Sequence, residues 1–303
     1  MRYISISKLL IALIAFALLP SANAEESVSL SNGEYAVPGV FSRPVSAERP
    51  SPALLLLHGT ASEKNEVGDL YLKLAKRLAK AGIASLRIDF AGSGESKVDH
   101  QRYSLSGATK DAQTAFDFLS EHPLVDGDQI VVLGFSQGGL VAQRLVLQEP
   151  KALALATWST AAANGRGSFA RFFDAHYAVA MKTGYATVAF PWIPEPLRFS
   201  AQWFKEIDEQ QTLNDMQDFS GPILSIAGTG DTTVPFQQSV DLVQTSSHPM
   251  SQVVLLAAAD HIFNVLAPSD PSLDGIASSE RLLSVTSSWA LDIFQHYPGP
   301  RAP

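Results

Sequence analysis

Short apolar runs alternate with amphipathic segments from residue 53 onward. Residues 53–57, 83–88 and 130–133 are largely apolar on both faces, as strands buried between two layers of helices are. The segments 70–81 and 105–120 between them repeat apolar residues with helical spacing. This alternation is typical of right-handed parallel crossovers, so the pattern predicts an α/β fold with a mostly parallel sheet and helices on both faces.

The same pattern continues on either side of this region. Residues 28–30 and 35–41, separated by a polar turn, predict an antiparallel hairpin at the beginning of the fold. A helix is expected over residues 139–148. Further strands are predicted at 153–158, 223–227 and 253–256, followed by a last helix at 281–294.

Residues 163–221 interrupt the alternation with about sixty residues rich in aromatic side chains. A stretch of this length is too long for a simple loop, so we expect a mostly helical cap over the carboxyl edge of the sheet. Its aromatic residues are first of all candidates for the interior of the cap, and second for the walls of an acyl or aryl pocket. The candidates for that pocket are Phe169, Phe173, Tyr177, Trp192 and Trp203.

The first 24 residues have the pattern of a secretory signal. Arg2 and Lys8 precede the apolar run 9–19, and Ala22-Asn23-Ala24 provides small residues for cleavage after Ala24. The run is short for a stable membrane anchor, although an uncleaved anchor is the alternative. The prediction is therefore a periplasmic or secreted protein with a signal at 1–24, a core at 25–163 and 221–303, and a cap at 164–220.

Charge and cysteine content narrow the possible chemistry. The net charge is −8, and it becomes −10 without the signal because Arg2 and Lys8 lie within it. An acidic surface disfavours nucleic acid and anionic lipid as partners. The chain has no cysteine, so disulfides and thiol catalysis are excluded.

The candidate nucleophile is Ser136, in Gly134-Phe135-Ser136-Gln137-Gly138 between a predicted strand and a predicted helix. In a tight strand-turn-helix connection, a side chain at 134 or 138 would collide with neighbouring backbone, and glycine avoids this. The serine hydroxyl would then face the space above the sheet, near the amino end of the helix. The alternative is an ordinary connection with a serine in the turn.

A serine nucleophile needs a histidine base and a carboxylate that orients it. Asp231 follows the strand at 223–227 through two glycines, and His261 follows the strand at 253–256. The order Ser136, Asp231, His261 is expected when the three residues leave successive strands of one parallel sheet. Asp260 is the competing acid, but it is badly placed to reach the ring of its own neighbour.

Two backbone N–H groups are candidates for stabilising an oxyanion. That of Gln137 begins the helix after Ser136, and that of Thr60 follows His58-Gly59 at the end of a buried strand. We expect His58 to hold this loop rather than to take part in catalysis. The turn at 89–96 lacks the features of a nucleotide loop, so a structural turn is preferred to a phosphate cradle.

Together, His58-Gly59-Thr60, Asp89 to Ser96, the turn around Ser136, Gly-Thr-Gly-Asp231-Thr-Thr-Val-Pro and Asp-His261 resemble the α/β-hydrolase superfamily. Within it, the chain is similar to bacterial cinnamoyl and feruloyl esterases, which carry a cap in the same place. The resemblance implies an α/β-hydrolase fold, Ser136 as nucleophile, His261 as base, Asp231 as orienting acid, and Thr60 with Gln137 as oxyanion donors.

The function expected from these features is an exported serine carboxylesterase that acts on small soluble esters through an acyl-enzyme, without metal or other cofactor. A peptidase or amidase, a lipase, and a catalytically silent binding protein remain as alternatives. Lys182, Arg198 and Lys205 interrupt the aromatic insertion, which favours soluble substrates over a lipid interface.

Overall fold

The computed structural model describes residues 25–44, 50–267 and 277–299, so the predicted signal at 1–24 lies outside the described residues. Within these ranges there are ten strands and eight α-helices. The strands are β1 (Glu25–Ser31), β2 (Ala36–Ser42), β3 (Ser51–Leu57), β4 (Ala84–Ile88), β5 (Val125–Phe135), β6 (Ala152–Trp158), β7 (Tyr185–Val188), β8 (Leu197–Ser200), β9 (Ile223–Gly228) and β10 (Gln252–Leu256). The helices are α1 (Leu70–Lys80), α2 (Leu105–Glu121), α3 (Gln137–Gln148), α4 (Ala170–Thr183), α5 (Ala201–Glu209), α6 (Thr212–Asp215), α7 (Gln237–Gln244) and α8 (Ser278–His296).

Eight strands form the central sheet in the order β1-β2-β4-β3-β5-β6-β9-β10. The first two pairings, β1 with β2 and β2 with β4, are antiparallel, and all the others are parallel. The mostly parallel sheet predicted from the sequence is therefore confirmed, including its antiparallel opening hairpin. Parallel pairing aligns the carboxyl ends of β5, β6, β9 and β10 along one edge.

Both faces of this sheet are covered. Alternate side chains of β3 point to opposite layers: Leu55 and Leu57 belong to the cluster packed by α2 and α3, whereas Leu54 and Leu56 belong to the cluster packed by α1 and α8. All four are fully buried. This explains why β3 has no polar alternation, because a strand with two buried faces has no solvent side.

α1 shows how the pattern of apolar residues orients a helix. Leu70, Leu74 and Leu78 lie on the buried side, while Lys73 and Lys76 are exposed. The helix ends near Gly82, whose φ of +83° is a backbone conformation that glycine adopts without strain. The helix predicted at 70–81 is therefore confirmed to within a residue.

The cap differs from its prediction in one respect. Between β6 and β9 lie α4, α5 and α6, as the prediction of a mostly helical insertion requires. However, β7 and β8 form a separate antiparallel pair, with Tyr185 opposite Ser200 and Val188 opposite Leu197, which the sequence pattern did not predict. The tip of this hairpin, residues 189–196, extends to the loop after β3, where Trp192 contacts Ala61.

The interior of the cap is aromatic. Phe172, Phe173 and Phe204 contact Trp203, with ring centroids 4.9–6.1 Å from that of the indole. The cap is joined to the core by polar contacts such as Ser200 Oγ to the carbonyl of Tyr103. None of the helices in the described ranges combines the length and apolarity that crossing a bilayer requires.

Candidate active site

Ser136 lies between β5 and α3, where the chain turns from strand to helix. Its backbone angles are φ 53° and ψ −119°, outside the common regions for a residue with a side chain. The turn is tight: a Cβ at Gly134 would lie 2.2 Å from the carbonyl oxygen of Gly138, and a Cβ at Gly138 would lie 2.2 Å from that of Leu57. The structure thus confirms the predicted need for glycine at both positions.

The turn is also fixed by hydrogen bonds to β6 and to the loop that follows it. Ser136 N donates to the carbonyl of Trp158 at 2.9 Å, and Ala161 N donates to the carbonyl of Ser136 at 3.1 Å. These hydrogen bonds hold the backbone of Ser136 in its strained conformation. Such strain persists in a folded protein only where surrounding contacts fix the residue in this way. The hydroxyl is consequently held above the sheet edge.

His261 and Asp231 come from the loops after β10 and β9, and these loops pack closely together. A Cβ at Gly228 would lie 2.1 Å from the carbonyl oxygen of Ala259, and Gly230 N donates to that same carbonyl at 2.9 Å. The glycines that precede the aspartate therefore allow its loop to approach the histidine loop.

The structure brings together the three residues proposed from the sequence. His261 Nε2 is 3.1 Å from Ser136 Oγ, and His261 Nδ1 is 2.8 Å from Asp231 Oδ2. The other carboxylate oxygen of Asp231 accepts hydrogen bonds from Thr233 N at 2.8 Å and Val234 N at 2.9 Å. With Nδ1 donating to the carboxylate, Nε2 is left to accept the serine proton.

Asp260, the competing acid, forms hydrogen bonds within its own loop. One of its oxygens accepts hydrogen bonds from Ile262 N at 3.1 Å and from Asn264 N at 2.7 Å. Its backbone N–H donates to the side-chain oxygen of Asn264. This carboxylate therefore fixes the turn that carries His261, whereas the ring itself is bonded to Asp231.

The two expected oxyanion donors lie on facing segments. The side chains of Thr60 and Gln137 are hydrogen-bonded, with Thr60 Oγ1 donating to Gln137 Oε1 at 2.5 Å. Within the described residues, the backbone N–H groups of both are without a protein acceptor. Free backbone N–H groups near a nucleophile are the kind of donor that a developing oxyanion requires.

His58 supports the loop at residues 58–64 after β3, called the oxyanion loop below, as expected from the sequence. Its Nε2 accepts a hydrogen bond from Phe90 N at 3.1 Å, so Nδ1 carries the proton and donates to the carbonyl of Gly59 at 2.8 Å. Burial lowers the pKa of His58 because the charged ring would lose its hydration. The neutral ring matches both hydrogen bonds.

Asp89 connects the oxyanion loop to the turn at 89–96. Its carboxylate accepts hydrogen bonds from Lys64 N, from Lys64 Nζ and from Glu95 N at 2.8–2.9 Å. A Cβ at Gly94 would lie 2.3 Å from this carboxylate, which explains the glycine there. The turn is therefore structural, in agreement with the preference stated above.

The aromatic residues predicted to contact substrate fall into two groups. Phe173 and Trp203 are each 1% exposed and belong to the packed interior of the cap, so they do not line an open wall in this structure. Phe169 and Tyr177 are partly buried against the same cluster. Trp192 differs: it is 66% exposed, and its indole N–H donates to the carbonyl of Ala61, next to Thr60, at 3.0 Å.

One residue of the site was missed entirely. Glu66 is 5% exposed and accepts hydrogen bonds from Gly59 N at 2.5 Å, Ser62 Oγ at 2.8 Å and Val67 N at 3.0 Å. In the sequence it stands in a polar segment with other charged residues. Only an acidic side chain directly before a helical segment could have drawn attention to it.

Comparison with known proteins agrees with the fold. Residues 48–192 match the model of the family described as serine aminopeptidase, S33. The chain is similar in structure to Est1E from Butyrivibrio proteoclasticus with ferulic acid bound (TM-score 0.70, 16% identity, 88% of this chain and 99% of that one). It is also similar to the esterase domain of a Rhodothermus marinus protein (TM-score 0.63, 21% identity, 88% and 97%). The chain therefore has the α/β-hydrolase fold.

Among curated sequences, the chain is 28% identical over 204 residues to an uncharacterized protein found in two strains of Mycobacterium tuberculosis, CDC 1551 / Oshkosh and ATCC 25618 / H37Rv. The match covers 67% of this chain and 61% of that protein. The chain therefore spans about three fifths of the length of the curated relatives that it matches.

Proposed function

We propose that the chain is a serine carboxylesterase that hydrolyses small soluble esters through an acyl-enzyme. The observation that carries the proposal is the continuous hydrogen-bonded series from Ser136 through His261 to Asp231. A serine hydroxyl is a weak nucleophile, and a neutral imidazole within hydrogen-bonding distance is what activates it. Asp231 keeps the imidazole in the required tautomer and stabilises the imidazolium that forms.

The proposed reaction uses these contacts in turn. Ser136 Oγ attacks the ester carbonyl carbon while its proton passes to His261 Nε2. The carbonyl oxygen becomes an oxyanion that accepts hydrogen bonds from Thr60 N and Gln137 N. The intermediate collapses, the bond to the alcohol oxygen breaks, and His261 returns the proton to the leaving alcohol. Water then attacks the acyl-serine with the same proton transfers and releases the acid.

For the substrate, we propose an aryl or other flat apolar group on the ester. Trp192 carries this part of the proposal, because a largely exposed indole anchored beside Thr60 offers a flat face near the site. The likeness to Est1E, whose structure contains ferulic acid, is consistent with this choice. Phe169, Phe173, Tyr177 and Trp203 would act indirectly, through the shape of the cap.

A fluorophosphonate probe tests the nucleophile. It should label the wild-type chain at Ser136 and should not label Ser136→Ala. Ser159→Ala is the matched control, because Ser159 follows the neighbouring strand β6 and its hydroxyl is buried. Absence of label on Ser136 in a folded protein would support a silent binding module instead.

Peptide or amide hydrolysis is the second candidate, favoured by the description of the matching family as serine aminopeptidase. p-Nitrophenyl acyl esters and aminoacyl anilides should be offered side by side, together with cinnamoyl and aliphatic esters of increasing chain length. We expect the aryl esters to give the highest kcat/KM. Stronger turnover of the anilides would replace the esterase proposal by the aminopeptidase one.

We also propose export to the periplasm or the medium, on the grounds of the positively charged, apolar and small-residue segments of positions 1–24. Fractionation of the producing cells, combined with amino-terminal sequencing of the purified protein, tests this. A chain beginning at Glu25 is expected. A protein that stays in the cytoplasm with Met1 in place would refute the proposal.

A further inference from the structure

Glu66 presents an unusual combination of burial and charge. Its side chain lies between the oxyanion loop and α1, and its two oxygens accept three hydrogen bonds. None of the Lys and Arg residues in the described ranges forms a salt bridge with it. Burial of a carboxylate without a cation is costly unless every acceptor position is used. The three donors therefore have to compensate for the lost hydration.

The backbone of Glu66 is strained as well. Its φ of 61° and ψ of 168° lie in a region that is essentially restricted to glycine. A glycine would adopt this conformation without strain, but it would provide no carboxylate. Strained residues of this kind cluster at functional sites, where the surrounding structure holds them in place. The strain at Glu66 is accompanied by hydrogen bonds from Gly59 N and Ser62 Oγ, which both belong to the loop after β3.

That loop carries the proposed oxyanion donor. The carboxylate of Glu66 binds Gly59 N, and the next N–H along the chain is that of Thr60. On its other side, Gly59 touches the nucleophile turn: a Cβ at Gly59 would lie 2.9 Å from the ring of Phe135 and 3.2 Å from Cβ of Ser136. The loop is thus held between the carboxylate and the serine turn, so a shift of either one moves Thr60 N.

We propose that Glu66, in its ionised form, is a positioning residue of the oxyanion site: it fixes the loop so that the N–H of Thr60 faces the carbonyl oxygen above Ser136. This inference rests on the esterase function proposed above. Glu66 itself touches neither substrate nor nucleophile. When Glu66 is protonated, the carboxyl loses its charge and accepts less strongly from the backbone N–H groups of Gly59 and Val67, so the loop loses part of its support.

The environment of Glu66 places this change near neutral pH. Burial raises its pKa to about 7, while the hydrogen bonds from Gly59, Val67 and Ser62 and the charge of His261 oppose the rise. Other titratable residues are Tyr71 on α1, whose pKa the charge of Glu66 helps to raise, and Glu63, Lys64 and Asp69, which lie within three residues of Glu66 along the chain. The carboxylate form, and with it the proposed support, is present above this pH and is lost as the pH falls.

The test compares Glu66→Gln with Glu63→Gln, a neighbour whose side chain is 38% exposed. For a p-nitrophenyl ester at pH 8, we expect Glu66→Gln to lower kcat by about 10- to 100-fold, because displacing an oxyanion donor resembles a partial loss of it. KM should change little, since the donor acts on the transition state. Glu63→Gln should behave as the wild type.

The pH profile separates a positioning role from a merely structural one. On the acid side, log kcat/KM of the wild type should fall more steeply than one proton allows over the range in which Glu66 becomes protonated, because this protonation lowers the activity in addition to the loss of the neutral base. Glu66→Gln should show a one-proton slope. Wild-type kcat and an unchanged profile in Glu66→Gln would overturn the inference, whereas a wild-type chain without fluorophosphonate label would overturn the esterase proposal itself.

Ser62→Ala provides a second test that leaves the carboxylate in place, in case Glu66→Gln does not fold. The hydroxyl of Ser62 lowers the pKa of Glu66, so its removal should raise that pKa. The acid limb of the activity profile should then move to higher pH. A limb that stays at its wild-type position would contradict the role of Glu66.

Discussion

Replacement of Asp231 by Asn tests the proposed mechanism most directly, because the structure determines how the amide would lie. Thr233 N and Val234 N both donate to Oδ1 of Asp231. An amide oxygen satisfies these two donors and an NH₂ group does not, so the oxygen of Asn would remain there. The NH₂ group would then face Nδ1 of His261, where Oδ2 now accepts at 2.8 Å.

This orientation inverts the tautomer of the ring. Nδ1 would have to accept from the amide, the proton would move to Nε2, and Nε2 could no longer take the proton of Ser136. In serine proteases the corresponding change lowers kcat by ~10⁴. We expect a loss of about 10³- to 10⁴-fold here, which corresponds to about 4–5.5 kcal/mol of transition-state stabilisation.

The assay is hydrolysis of a p-nitrophenyl ester at pH 8, together with the rate of fluorophosphonate labelling and the thermal unfolding temperature. Asp260→Asn is the matched control, since its amide oxygen can still accept from Ile262 N and Asn264 N. Asp231→Asn should remain folded and should label slowly, while Asp260→Asn should stay close to wild type. An Asp231→Asn variant within tenfold of wild type, or an equal loss in Asp260→Asn, would refute the reasoning.

Three further predictions concern stability and specificity. Gly138→Ala should destabilise the fold by about 1–3 kcal/mol, because the new Cβ would lie 2.2 Å from the backbone carbonyl oxygen of Leu57. An unfolding temperature equal to that of the wild type would contradict this. Burial raises the pKa of the Asp111 carboxyl from its ordinary value of 3.8 to about 6 in the folded protein. The protonated carboxyl therefore makes its full contribution to the free energy of unfolding below pH 3.8, and this contribution is lost as the pH rises through 6. Asp111→Asn should therefore remove about 3 kcal/mol of pH-dependent stability, measured by urea unfolding at pH 4 and pH 8, and an unchanged pH dependence would count against it. Trp192→Ala should raise KM for cinnamoyl esters more than Trp192→Phe does, because phenylalanine keeps an aromatic face; equal effects would indicate that only the hydrogen bond to Ala61 matters.

The strands of the central sheet could be predicted from the sequence because most of them are recognisable from their own runs of apolar residues. β3 is apolar on both faces, and the structure buries both of them, so a run of leucines is sufficient to identify it. The β7–β8 pair has no such run. Each strand has four residues, and the tip between them contains three prolines, so neither alternation nor length distinguishes it from a loop.

For the candidate site, the sequence indicated residues that stand at strand ends: Ser136 and Asp231 have glycine beside them, and His261 follows the last predicted strand. Ser136, Asp231 and His261 could be named in this way, since glycine spacing and chain order are visible in the sequence. Glu66 could not, because its role depends on contacts with Gly59 across the loop. Trp203 and Trp192 look alike in the sequence, and only the folded cap buries one and exposes the other.

The origin of the site residues has a consequence for how the protein becomes active. The serine follows β5, the aspartate follows β9 and the histidine follows β10, so the serine and the histidine are 125 residues apart in the chain. Contacts of such long range form late, after the entropy of closing the intervening chain has been lost. Recovery of the proposed esterase activity during refolding would therefore report on completion of the β6–β9–β10 side of the sheet, and it should lag behind the return of helical circular dichroism.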